Sequence, residues 1–289
     1  MTTVVLLTIT GLGVAALYFL VASGLSLIFG LMDVLNFAHG AFVTIGGYVG
    51  WSVANAVGGT PGLVLSCLAA VAAGAGVATL TELVVIRPLY RRPLDQVLAT
   101  VGLGLAIPAV IQAGWGGDAR TWSVPAWLSG TVTVAGAHIP AIRFILIAVA
   151  IVVLIGLATF LARTRAGLIV RAGVENRDMV TALGIDVRIA FTCMFALGGA
   201  AAGLAGALDG VYQGSVSPGD GTALLIFAFV VVVLGRMGSI VGTAVAAAVV
   251  GLVQQFANYV SANLGSLSVV ILLAIVLLAR RRNLVGRPA

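Results

Sequence analysis

Few side chains in this sequence could take part in acid–base, nucleophilic or metal chemistry. The 289-residue chain has nine acidic residues, two histidines and two cysteines, and all 15 of its basic residues are arginine. Without lysine, the chain cannot supply a Walker A lysine or a Schiff-base lysine. His39 and His138 stand far apart, and no paired carboxylates or Ser-His pattern falls within the apolar segments. We therefore expect no catalytic site, no metal site and no cofactor bound by this chain.

The composition indicates that lipid is the solvent for most of the chain. Hydrophobic residues make up 61% and charged residues 8%, whereas soluble domains carry about 25% charged residues. Segments 1–32 and 237–279 contain no Asp, Glu, Lys or Arg. As a helix, the second segment would extend roughly 65 Å, so it must cross a hydrocarbon core of about 30 Å twice. The apolar runs do not alternate as barrel strands do, which leaves helices.

We predict an all-α polytopic membrane protein, with residues 1–289 forming a single transmembrane domain of eight or nine spans. The predicted spans lie near 4–29, 36–56, 62–86, 94–114, 141–162, 189–208, 222–235, 240–259 and 266–279. The stretches 222–235 and 266–279 are short enough to be re-entrant. G-x-x-x-G motifs begin at Gly46, Gly199 and Gly238. They favour close helix packing within the chain over a subunit interface.

Arginine placement predicts the topology. The arginines cluster in 87–92, in 163–188 and in the tail after residue 279, and the positive-inside rule places all three clusters in the cytoplasm. The segment 115–140 is then external, and its tryptophans at 115, 122 and 127 suit an interfacial belt. This threading puts the N-terminus outside and the C-terminus in the cytoplasm. The net charge of +6 does not indicate a nucleic-acid partner.

Two polar, glycine-rich segments interrupt the apolar sequence. The first, 30–47 (GLMDVLNFAHGAFVTIGG), contains Asp33, Asn36 and His39. It is either a kinked or re-entrant piece lining a pathway, or a short cytoplasmic turn in which Asp33 and Asn36 cap the next helix. We expect His39 to be a hydrogen-bonded structural residue. The second segment, 209–222, is similar in composition, and we interpret it as an external loop, with an internal repeat as the alternative.

The loop 163–188 is the only long charged stretch in the sequence. Within it, residues 175–183 read as a short amphipathic helix that ends at Gly184. Met179, Ala182 and Leu183 form its apolar stripe. That stripe either covers the ends of the protein's own spans or fits a groove on a soluble partner.

Four stretches, in order, resemble Liv-type permeases, the membrane subunits of branched-chain amino-acid ABC importers. They are GLSLIFGLMDVLNFAHGAFVTIGGY (24–48), LATVGLGLAIPAVIQ (98–112), RAGVENRDMVTALGIDV (171–187) and VVVLGRMGSIVGTAVAAAVVGLVQ (231–254). Arg236 departs from the pattern, because the family usually has a glycine there. The resemblance spans nearly the whole chain.

The resemblance implies an ABC importer permease fold in a bacterial inner membrane. It implies a second homologous permease, two ABC ATPase subunits that use the ATP, and an extracytoplasmic solute-binding protein that delivers branched-chain or other hydrophobic amino acids. Carried over residue by residue, the coupling helix to the ATPase would contain Glu175, Asn176, Met179, Ala182, Leu183 and Gly184. The translocation pathway would include Asn36, Phe37, His39 and Gly40.

Other functions stay open at this stage. Permeases of urea and short-amide ABC importers are closely similar, so the substrate is not determined. An ion-coupled secondary transporter or a channel is the further alternative. Such proteins usually bury ionisable residues within their spans, whereas Glu82, Asp209 and Asp220 can all be placed at or beyond span ends. We therefore expect a pathway without a fixed charge.

Overall fold

The computed structural model describes residues 1–32, 36–90, 92–175 and 187–285. These residues form a helical bundle with two very small antiparallel sheets. The helices are α1 (Thr2–Met32), α2 (His39–Val57), α3 (Gly59–Thr81), α4 (Pro93–Trp115), α5 (Ala126–Ser129), α6 (Ala141–Arg163), α7 (Arg165–Glu175), α8 (Val187–Gln213), α9 (Asp220–Gly235), α10 (Ile240–Val260) and α11 (Ala262–Val285). The strands are β1 (Arg120–Thr121), β2 (Thr131–Val134), β3 (Ala137–Pro140) and β4 (Ser215–Val216).

Local sequence explains where several helices begin and end. Helix α3 continues as a π-helical segment, Glu82–Ile86, and a 3-10 turn, Arg87–Leu89. Pro93 starts α4, where its missing N–H is not needed. Ser239 caps α10, because its hydroxyl oxygen accepts a hydrogen bond from the Gly242 amide at 3.1 Å.

The all-α polytopic architecture predicted from composition is confirmed. Within the described residues, each of the nine predicted spans coincides with a long helix, and six of these helices are long and apolar enough to cross a membrane. The apolar helices Asp220–Gly235 and Ala262–Leu278 are shorter. Helix α2 falls outside the six although it has 19 residues. Polar and glycine residues lower its hydropathy, and most of its surface is buried by other helices rather than exposed to lipid.

Helices α2, α3 and α8 pack with their backbones in contact. A Cβ atom added to Gly46 would lie 2.3 Å from the Cα of Gly203, and one added to Gly74 would lie 2.2 Å from the carbonyl oxygen of Gly199. No side chain fits between these backbones. The motifs at Gly46 and Gly199 therefore pack within the chain, as small-residue motifs do in membranes. The third motif is not a helix face, because Gly238 lies in the turn before α10 with a φ of 82°.

Tryptophans mark one end of the bundle, which we call the tryptophan end. There Trp51 Nε1 donates to the Thr121 carbonyl oxygen at 2.8 Å and Trp127 Nε1 donates to Thr60 Oγ1 at 2.9 Å. Strand β1 pairs with β4 at this end, and β2 with β3 forms a hairpin beside the start of α1. The expectation that Trp122 belongs to an interfacial belt is wrong. Its ring is 3% exposed and fills the space between Gly50 of α2 and Gly210 of α8.

Candidate functional site

Helix α2 begins deep inside the bundle. Its first residue, His39, donates from Nε2 to the carbonyl oxygen of Val21 in α1 at 3.0 Å. Val21 lies roughly 16 Å along the α1 axis from the end of that helix at Met32, at 1.5 Å per residue. By Asn36 the chain is already in the protein interior, so the described part of segment 30–47 does not fit a short surface turn.

Backbone hydrogen bonds to Asn36 shape the start of α2. Asn36 Oδ1 accepts from the Ala38 amide at 3.0 Å, and the Asn36 carbonyl oxygen accepts from the His39 amide at 3.3 Å. Both side chains are fully enclosed, with His39 0% and Asn36 2% exposed. Among the described residues, His39 Nδ1 and Asn36 Nδ2 have no hydrogen-bond partner. Two polar atoms are thus left available in the bundle interior.

The first turns of α2 and α9 lie side by side. A Cβ atom on Gly221 would lie 2.0 Å from the Gly40 carbonyl oxygen, so only glycine allows this approach. About two turns further along α9, the ring of Phe229 lies 5.2 Å from the ring of Phe37. The structure thus brings Asn36, Phe37, His39 and Gly40 together with the start of α9, which the sequence did not reveal.

The segment 209–222 is not an external loop, and this expectation needs correction. Residues 209–213 complete α8, residues 215–216 form β4 at the tryptophan end, and α9 begins at Asp220 beside Gly40. The chain therefore turns inward between β4 and α9. Asp220 closes this turn, because its carboxylate accepts from the amide and the hydroxyl group of Ser217, both at 2.6 Å.

A polar cavity of about 310 Å³ lies beside the start of α9, toward the tryptophan end. It is partly open and is bordered by residues of α1, α8, α9, α10 and α11. Its lining comprises Val14, Leu17, Tyr18, Asp209, Tyr212, Gln213, Asp220, Ala223, Leu224, Phe227, Gln254, Gln255, Asn258 and Ser266. A polar space inside an apolar bundle is unusual, because unpaired polar groups are costly in a membrane interior. Polar groups retained there indicate a functional site.

Asp209 is the residue that sequence reasoning missed. It lies inside α8 and is 4% exposed, although the predicted span ended just before it. The expectation that Asp209 lies at or beyond the end of a span is wrong, and both Asp209 and Asp220 line the cavity. The sequence did carry a signal, because residues 189–213 contain no charged residue other than Asp209, but ending the predicted span at 208 concealed it.

Glu82 also lies inside the protein rather than beyond a span end. It is 0% exposed, and Thr192 Oγ1 donates to its Oε2 at 2.8 Å. The hydroxyl group of Tyr90 donates to the other carboxylate oxygen. These contacts connect the π-helical end of α3 to the first turns of α8. Glu82 is satisfied by these donors, so it is better suited to hold helices together than to bind a ligand.

The predicted coupling helix lies outside the described residues. Asn176, Met179, Ala182, Leu183 and Gly184 fall in the interval between α7 and α8, and Glu175 is the last residue of α7. The residues directly before this interval form a separate helix, α7. Thr164 Oγ1 caps α7 by accepting from the Gly167 amide at 3.0 Å.

Comparison with known proteins identifies the family. Residues 7–280 match the family described as branched-chain amino acid transport system / permease component. The chain belongs to this family. The match covers both inward-starting helices and the cavity, so the described site is part of the permease domain itself.

Curated relatives extend along almost the full chain. The high-affinity branched-chain amino acid transport system permease protein BraD of Pseudomonas aeruginosa is 29% identical over 97% of this chain and 95% of its own length. The corresponding permease protein LivH of Escherichia coli K12 is 26% identical over 96% and 94%. A probable LivH permease of Methanocaldococcus jannaschii is 29% identical over 84% and 78%. No solved structure matches the chain. This family member is therefore a multi-pass membrane permease of a transport system.

Proposed function

We propose that this chain forms the translocation pathway for branched-chain or other hydrophobic amino acids in an ATP-driven importer. The family and the substrates named for the relatives support this proposal. The structural observation that carries it is the pair of helices, α2 and α9, that start inside the bundle beside each other. Discontinuous helices at mid-membrane depth are where transporters place substrate sites.

The pathway would follow the start of α2. Asn36, Phe37, His39 and Gly40 would line or shape it, because the unpaired nitrogens of Asn36 and His39 belong to the same short segment as Phe37, whose ring packs against that of Phe229. Hydrogen-bonding atoms beside aromatic rings suit a small ligand with both polar and apolar parts. The backbone contact of Gly40 with Gly221 would let α2 and α9 slide past each other without side-chain interference.

The driving force would enter through residues 175–184. In this proposal, Glu175, Asn176, Met179, Ala182, Leu183 and Gly184 form the coupling helix that docks on an ATPase subunit. Helix α8 follows directly and extends roughly 33 Å from Val187 to Asp209, at 1.5 Å per residue. A movement at the coupling helix would thus reach the polar cavity through one continuous helix.

The chain would act within a larger assembly. Two ABC ATPase subunits would bind and hydrolyse the ATP, since this sequence contains no lysine for a Walker A motif. A second homologous permease would complete the pathway, and an extracytoplasmic binding protein would deliver the substrate. The arginine-rich C-terminus would lie in the cytoplasm with the coupling loop. No cofactor would bind to the chain itself.

Reconstitution tests this proposal. The chain is co-expressed with its candidate partner subunits, purified in mild detergent and placed in liposomes with radiolabelled leucine. We expect ATPase subunits to co-purify and leucine uptake to require both ATP and the binding protein. Met179→Asp with Leu183→Asp should release the ATPase subunits, whereas the control Asp118→Asn, on an exposed residue of segment 115–140, should not. Leucine uptake by the isolated chain without ATP would contradict the proposal and support a secondary transporter.

A further inference from the structure

Asp209 is a buried carboxylate with no hydrogen-bond or ion-pair partner among the described residues. The residue is 96% removed from solvent, since 4% of it is exposed, and no hydrogen bond or ion pair to it is found in the part of the chain that the structure describes. Its side chain lines the 310 Å³ cavity. Ionised groups inside a membrane protein normally pair with an opposite charge or with donors. The missing partner can therefore be supplied by a ligand in the cavity.

The cavity has a negative character. Two of its lining residues are acidic, and none of them is Arg, Lys or His. Arg143 of α6 does not line the cavity; its guanidinium carbon lies 3.8 Å from the ring centroid of Tyr212, and among the described residues its Nε and Nη1 have no hydrogen-bond partner. Asp220 already accepts two hydrogen bonds from Ser217. Asp209 is thus the carboxylate left to bind a cation, and Asp220 adds to the negative potential.

The remaining lining suits a small organic cation. Tyr18 donates to Gln254 Oε1 at 2.6 Å, and this hydrogen bond holds the Tyr18 ring at the cavity wall. The rings of Tyr18 and Phe227 are stacked at a centroid distance of 4.9 Å. Aromatic faces attract ammonium groups and also cover aliphatic carbon atoms. A volume of about 310 Å³ is at the small end of the range for small-molecule sites.

We propose that this cavity binds the primary ammonium group of a small aliphatic ligand, with Asp209 as the counter-charge and the Tyr18–Phe227 pair as the apolar wall. Resting on the proposed function, we assign this ammonium group to the transported amino acid. The cavity is then a subsite of the pathway, between the tryptophan end and the start of α2, and it selects for ligands that carry a positive nitrogen.

Binding of leucine fragments to the purified full-length chain in nanodiscs tests the subsite directly. The probe 3-methylbutylamine keeps the ammonium group of leucine without its carboxylate, whereas 4-methylpentanoate keeps the carboxylate without the ammonium group. We expect the amine to raise the thermal unfolding midpoint in a saturable manner and the carboxylate not to. Asp209→Asn should raise the half-saturating amine concentration about tenfold or more, as expected for loss of a buried charge partner.

Matched variants separate binding from folding. Asp209→Glu keeps the charge and should largely restore amine binding, whereas Asp118→Asn removes an exposed carboxylate and should change nothing. An equal effect of 4-methylpentanoate, an Asp209→Asn variant that binds amine normally, or the same stabilisation by potassium chloride would overturn the proposal. If amine binding behaves as expected but the assembled importer takes up no leucine, the subsite stands and the proposed function fails.

Discussion

Two regions of the bundle differ in how closely their helices pack around polar atoms. Between α2, α3 and α8, glycine backbones touch and leave no space for a side chain or a water molecule. Between α1, α8, α9, α10 and α11, a polar cavity stays open. Helix α8 contributes to both, with Gly199 and Gly203 on one side and Asp209 near its end on the other. One helix therefore joins a rigid contact to a candidate binding site.

The difference follows from where the neighbouring helices start. Helix α3 extends along α8 for many turns, so small residues can bring the two backbones together. Helix α9 begins only at Asp220, and the cavity lies beside its first turns, where Asp220, Ala223, Leu224 and Phe227 line it. Close packing should make the first region sensitive to added or removed atoms, whereas the second should tolerate them. The following predictions test this contrast.

Removal of the Trp122 ring should have the largest effect. The ring closes the tryptophan end of the tight region, between Gly50 and Gly210, so Trp122→Ala would leave a cavity. We expect a loss of about 3–5 kcal/mol in the free energy of unfolding. Trp127→Ala is the control, because that side chain is 52% exposed and should cost less than about 1 kcal/mol. Thermal unfolding in detergent measures both, and equal losses would show that Trp122 is not a packing residue.

A single methyl group should distinguish the two faces of α3. At Gly74 the added Cβ would lie 2.2 Å from a backbone oxygen of α8, whereas at Gly76 nothing lies within 4 Å. Gly74→Ala should destabilise the protein by about 1–3 kcal/mol. Gly76→Ala should stabilise it by up to about 1 kcal/mol, since alanine favours helix. If both variants unfold at the same temperature, the backbone contact with α8 is absent.

A glycine in the turn after α9 should stabilise the protein. Arg236 follows the last residue of α9 and has a φ of 66°, a conformation that costs a non-glycine residue about 1 kcal/mol. Arg236→Gly should therefore raise the free energy of unfolding by about that amount. At the neighbouring Met237, which does not have a positive φ, glycine should lower stability instead. An unfolding midpoint that falls in Arg236→Gly would show that the arginine side chain stabilises this turn.

A larger side chain beside the cavity should change the free energy of unfolding least. Ala223 is exposed toward the cavity on the first turn of α9, so Ala223→Leu should change the free energy of unfolding by less than about 0.5 kcal/mol. Uptake by the assembled importer should nevertheless fall, because the leucine side chain would occupy the proposed subsite. A large loss of stability here would remove the contrast between the two regions.

The sequence predicted the positions of the helices better than the arrangement of the candidate functional site. Apolar run lengths predicted the nine long helices, since a segment that crosses lipid must satisfy its backbone internally. They could not show that α2 starts beside Val21, because helix depth depends on the packing of neighbours rather than on residue type. The resemblance placed Asn36, Phe37, His39 and Gly40 near the pathway, but Gly221 and Phe229 as their neighbours emerged only from the fold.

The charged residues show the same limit. Ending the predicted span at 208 placed Asp209 outside, and Glu82 was expected at a span end, although both lie in the interior. A carboxylate can remain in a membrane-spanning bundle when hydrogen-bond donors or a polar cavity surround it, and these surroundings come from distant parts of the chain. Thr192 and Tyr90 reach Glu82 in this way, and Gln254 faces the cavity of Asp209.

Residue types and their order along the chain determine four properties of this protein: its solubility in lipid, its helical class, its family and its lack of a lysine for ATP chemistry. Each of these is a local or additive property. Tertiary packing decided where α2 and α9 start and which glycines are in contact. It also left Asp209 without a hydrogen-bond or ion-pair partner among the described residues. These features depend on which backbones approach within a few ångströms, and that is a property of helix pairs that no single segment contains.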